Sequence, residues 1–142
     1  MTKPLPKLSL RNDAIAPFQT MELVKSAQAL EASGRSIIHM SIGEPDFTAT
    51  PSVIEALNQA LAQGKSQYTP ALGIAPLREA IASHYLRTEA LEVDPACVII
   101  TAGASAALTL ACLALVNPGD EVLLTDPSYP CNRHFVAAAN GI

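Results

Sequence analysis

Cys97–Val116 reads CVIITAGASAALTLACLALV, and its two halves differ in chemistry. Cys97 to Thr101 is a short apolar run containing the β-branched Val98, Ile99 and Ile100, the pattern of a strand buried on both faces. Ala102-Gly103 interrupts it. From Ala104 onward come small residues and leucines, strong helix formers that are apolar all round. A strand, a tight turn of small residues and a buried helix aim backbone N–H groups and the positive end of a helix dipole at one point. That geometry binds phosphate. A packed helix start with no ligand satisfies the same residues, so both readings stay open here.

The turn fails the common nucleotide fingerprints. Gly103-Ala104-Ser105-Ala106-Ala107 lacks the second and third glycines of the dinucleotide motif, and no Gly-Lys-Ser/Thr follows to make a P-loop. Ser105 does not sit in a nucleophile elbow, because Ala107 stands where that motif needs glycine. The turn fits a small phosphate held by the N–H groups of Ala104 and Ser105 and by the Ser105 hydroxyl.

The chain has 142 residues, a net charge of −4 and 49% hydrophobic residues. A domain of this size buries about 70% of its unfolded surface, enough for a core. Mild acidity argues against a nucleic-acid groove or an anionic membrane surface. No apolar run approaches the roughly 20 residues of a membrane span. The start, MTKPLPKLSLRND, has no signal-peptide core, so a cytoplasmic location is expected. Cys97, Cys112 and Cys131 include no C-x-x-C pair. They read as inert buried thiols rather than a disulfide framework or a metal site.

Residues 1–11 read as a Pro- and Lys-punctuated arm, and Asn12 or Asp13 as a helix cap. A helix is expected from Thr20, with Met21, Val24, Ala27, Leu30 and Ala32 at helical spacing and Ser33-Gly34 as its stop. A short strand follows at Ile37–Met40, in which His39 reads as a packed or edge residue. Ser41–Thr50, SIGEPDFTAT, carries turn chemistry, with Glu44 and Asp46 as solvated carboxylates. Thr50-Pro51 opens a helix with the stripe Val53, Ile54, Leu57, Ala60 and Leu61, closed by Gly64. After the loop Gln67–Pro70, a helix near Pro76 places Leu77, Ala80, Ile81, His84 and Tyr85 on one face, with Arg78 and Glu79 facing water. Asn117-Pro118-Gly119-Asp120 is a type II turn. Glu121–Thr125 reads as a buried strand, and Asp126–Pro130 as a loop at the strand end where parallel sheets bind ligands. Tyr129, between prolines, is either a rigid turn residue or an aromatic that stacks on a planar group. A helix over Asn132–Ala139 ends at Asn140-Gly141. The strand–helix alternation from residue 97 implies right-handed crossovers in a mainly parallel sheet. The chain stops at Ile142, where another strand would begin, so a fragment is expected.

Four stretches carry a family resemblance: IGEPDF at 42–47, YTPALGIAPLREAIASHY at 68–85, VIITAGASAALTLACLAL at 98–115 and NPGDEVLLTDPSYP at 117–130. In order and spacing they resemble the N-terminal part of class I/II aminotransferases, pyridoxal-phosphate enzymes of the aspartate aminotransferase fold (fold type I). The resemblance implies an α/β fold: an incomplete large domain with a mainly parallel sheet and helices on both faces, over 51–142. An N-terminal arm and part of a small domain precede it, over 1–50. It further implies pyridoxal 5'-phosphate as cofactor, an amino acid and a 2-oxo acid as substrates, and a homodimer without nucleic-acid or membrane partners. By matching position, Gly103, Ala104 and Ser105 hold the cofactor phosphate and Tyr129 stacks on its pyridine ring. Tyr68 reaches the phosphate of the partner subunit, and Gly43 lies in the loop over the substrate α-carboxylate. The family's Schiff-base lysine has no counterpart. Lys65 lies in a polar loop without the family's flanking pattern, so no catalytic residue is assigned and this stretch by itself is expected to be inactive. Two alternatives are a β-lyase or synthase of the same fold, and a truncated binding or assembly module without catalysis.

Overall fold

Helix starts and stops written into the sequence produce five α-helices in the computed structural model, which describes residues 7–142. They are α1 (Gln19–Ala32), α2 (Pro51–Ala62), α3 (Ala75–Glu89), α4 (Gly103–Leu115) and α5 (Cys131–Ala138). The chain divides into two units, one of Met1–Gly43 with Gly103–Ile142, the other of Glu44–Ala102.

In the first unit, Leu10–Ala14 is a 3-10 helix, and it contains Asn12 and Asp13. Those residues therefore do not cap α1, which begins after the extended backbone of Phe18. Gly34 ends α1 with φ of 89°, and Arg35 N–H donates to Leu30 O at 3.1 Å. The turn after α4 forms as expected: Gly119 has φ of 87°, and Asp120 N–H donates to Asn117 O at 3.1 Å. Asp120 Oδ2 accepts from the Asn117 backbone N–H at 2.7 Å and from its side-chain Nδ2 at 3.0 Å. These bonds, the backbone one foremost, hold the Asp120 carboxyl below the ordinary aspartate value. α5 starts and ends one residue before its expected bounds. Asn140 takes the left-handed conformation (φ 60°) and Gly141 N–H donates to Val136 O at 3.0 Å. Val136 and Ala139 are buried here.

In the second unit, Pro51 occupies the first turn of α2 and Thr50 has the extended backbone of a cap. The Thr50 hydroxyl pairs with Ser52 Oγ at 3.0 Å instead of capping a backbone N–H. On α3 the expected orientation needs correction. Ala82 is the buried residue, while Leu77 and Tyr85 are exposed. Arg78 does not face water: its Nη2 donates to Pro95 O at 2.6 Å and its Nε to Val98 O at 2.9 Å. A planar guanidinium reaches two carbonyls at once, and this one holds the entrance to the opening stretch against α3.

The expected strands are the larger correction. Among the described residues none forms a strand, including 37–40, 97–101 and 121–125. A strand exists only through a ladder with a neighbour, and these runs make isolated bonds instead. Ile100 N–H donates to Leu72 O at 3.1 Å. Ile142 N–H donates to Asp120 O at 2.8 Å, and Val122 N–H to Ile142 O at 2.7 Å. The last two have the slanted pattern of parallel pairing on either side of Glu121. Among the described residues, no helix is long and apolar enough to cross a membrane.

Candidate cofactor site

Tyr129 is placed by a loop with a cis Asp126–Pro127 bond on one side and the start of α5 on the other. Tyr129 is 51% exposed, and its ring makes an edge-to-face contact with Phe18, with centroids 5.8 Å apart and planes at 79°. A hydrogen bond to the Cys131 side chain, and secondarily the charge that thiol can carry, push the Tyr129 phenol above the ordinary tyrosine value.

A cavity of about 330 Å³ lies against this ring, lined by Phe18, Thr20, Ser41, Ile42, Gly43, Tyr129 and Pro130. It joins two of the expected site residues, Gly43 and Tyr129, which are far apart in sequence. Among the described residues that line it, none is charged and none is a lysine. Sequence reasoning missed Phe18 and Thr20. The only available signal was an aromatic just ahead of a helix, which reads as ordinary packing.

Gly103, Ala104 and Ser105 form the first turn of α4 in the same unit, and they do not line this cavity. Gly103 has φ of 80°, and the position a Cβ would occupy has nothing within 4 Å. Ala104 and Ser105 are exposed. Ser105 O accepts from the Thr109 hydroxyl at 2.8 Å, whereas the Ser105 hydroxyl makes no hydrogen bond among the described residues. The first N–H groups of a helix have no acceptor within it. The exposed Ala104 and Ser105 at a helix start and an exposed aromatic residue fit a planar ring that carries a phosphate.

Tyr68 belongs to the other unit. It is fully exposed and lines a larger hollow of about 450 Å³ with Ser66 and Gln67. Volume does not make that hollow the better candidate, because its described lining is one open run of loop, Ser66 to Tyr68. Two of the three histidines are engaged elsewhere: His39 Nε2 lies 2.8 Å from Glu31 Oε1, and His84 Nδ1 lies 3.4 Å from Arg87 Nη2. Glu44 and Asp46 are exposed.

The family model for aminotransferase class I and II matches residues 35–141. The chain belongs to the class I and II aminotransferases. It is 38% identical over 135 residues to the aspartate/prephenate aminotransferase of Thermus thermophilus, covering 95% of this chain and 35% of that protein. It is also 38% identical over 119 residues to the (5-formylfuran-3-yl)methyl phosphate transaminase of Methanocaldococcus jannaschii, covering 84% of this chain and 32% of that one. Among solved structures, Thermus thermophilus aspartate aminotransferase with maleate superposes with a TM-score of 0.91 at 37% identity, over 97% of this chain and 36% of that chain. The chain thus spans about a third of the length of the relatives it matches. Runs that lack a ladder here occur in a sequence that matches only that part of the fold.

Proposed function

We propose that this chain forms part of the cofactor site of a pyridoxal-phosphate-dependent aminotransferase that moves an amino group between an amino acid and a 2-oxo acid. The observation that carries this reading is the cavity shared by Gly43 and Tyr129, in the same unit as the turn Gly103–Ser105 that starts α4. In this reading the backbone N–H groups of the first turn of α4 and the Ser105 hydroxyl donate to the cofactor phosphate. Tyr129 offers a face to the pyridine ring, held edge to face by Phe18. Gly43, with no side chain, lets the Ser41–Gly43 backbone pass close over the substrate carboxylate. Tyr68, fully exposed, is assigned to the cofactor phosphate of the partner subunit in a homodimer. When bound, pyridoxal phosphate supplies an electron sink for the bond-breaking step. The residues of this chain bind and orient it and cover it from water.

The division into 1–50 and 51–142, the mainly parallel sheet and a cytoplasmic location belong to the same reading. The parallel hydrogen-bond pattern around Glu121 supports the sheet.

The protein carrying this chain, given pyridoxal phosphate, an amino donor and a 2-oxo acid, is expected to yield paired amino and oxo products. No exchange at saturating cofactor would overturn the reading. Ser105→Asp puts a carboxylate at the phosphate position and is expected to weaken cofactor binding tenfold or more. The 142-residue chain by itself, with no lysine among the described residues that line the cavity, is expected to show no exchange.

A further inference from the structure

The segment from Ser9 to Phe18 clasps α5 at both ends. At the C-terminal end, Arg11 Nη1 donates to Ala138 O at 3.0 Å, and Arg11 Nε donates to Ser9 Oγ at 3.1 Å. Ala138 is the last residue of α5, so a cation meets one of the carbonyls that a helix end leaves without a partner. The 3-10 helix Leu10–Ala14 packs on α5. At the N-terminal end, Phe18 meets Tyr129 edge to face. The pair is not core: Tyr129 is half exposed, and both rings line the cavity.

We infer that Phe18 is a positioning residue for the cofactor ring, acting through Tyr129. The inference rests on the cofactor reading above. An edge-to-face pair ties the planes of its two rings together, because the positive ring edge seeks the negative face. Tyr129 lies two residues ahead of α5, and Phe18 is the aromatic that meets its ring. With Phe18 in place its plane is set before a ligand arrives, and less order has to be gained on binding. Arg11 keeps the arm, and hence Phe18, on α5.

The test titrates pyridoxal 5'-phosphate into the cofactor-depleted protein carrying this chain and records affinity and the circular dichroism of the bound cofactor. Phe18→Leu is expected to weaken affinity about 2- to 12-fold, the range of an aromatic pair, and to alter the dichroism band. Phe18→Tyr should restore both. With Tyr129→Leu already in place, adding Phe18→Leu should change nothing further, because the contact is already gone. Should Phe18→Leu not fold, Phe18→Met serves in its place. Unchanged affinity and dichroism in the Phe18 variant, or losses that simply add to those of Tyr129→Leu, would overturn the inference while leaving the cofactor reading intact. If the unsubstituted protein does not bind pyridoxal phosphate, the cofactor reading fails, and the inference fails with it.

Discussion

Two glycines with similar backbone angles illustrate what single residues decide here. Gly73 has φ of 95°, and a Cβ there would stand 2.7 Å from Ile100 Cβ and closer still to its Cγ1. Gly103 has φ of 80° and open space around the same position. Gly73→Ala is therefore expected to cost about 1–3 kcal/mol for overpacking, on top of about 1–2 kcal/mol for the left-handed backbone. Gly103→Ala bears only the second cost. Urea denaturation of the two variants checks the difference, and equal losses would mean that Ile100 gives way freely. Tyr129 could be singled out from the sequence because it follows an apolar run and sits between prolines. Phe18 could not. Its importance arises from a ring 111 positions away, and nothing local encodes that contact.

Helices were readable because their ends are encoded locally. Pro51, Gly34, Gly64 and Asn140 each mark a start or stop through backbone geometry, and each does so in the structure. Strands were not, because pairing depends on residues distant in sequence. The side of α3 facing its surroundings was misjudged for a related reason. Arg78 follows a pattern that reads as solvated, yet the carbonyls of Pro95 and Val98 draw it inward. Arg78→Met keeps the aliphatic stem and removes both donors. It is expected to lower stability by about 1.5–3 kcal/mol, the range for hydrogen bonds to a charged group. Arg78→Lys, with no planar fork, should recover only part of that. Chemical denaturation of the protein carrying the chain reads both, and a Met variant as stable as the parent would show the clasp to be idle.

Across the whole described chain, apolar side chains lack cover. The stripe expected on α2 is open, with Val53, Leu57 and Leu61 each more than half exposed, and Leu123 is fully exposed. The buried hydrophobic residues are Ala82, Val136 and Ala139. Burying even a large apolar side chain yields about 1.5–3 kcal/mol, while ordering each residue costs about 1–2 kcal/mol. Three small side chains do not offset that cost. The 142-residue chain made by itself is expected to self-associate in sedimentation experiments and to melt without cooperativity. A monodisperse monomer with one sharp transition would refute this.

The clasp on α5 also sets an order of events during synthesis. Arg11 and its acceptor at Ala138 lie 127 positions apart. At about 5–20 residues per second, the arm emerges roughly 6–25 s before the helix it grips exists. The first described segment to leave the ribosome thus waits for the helix it grips.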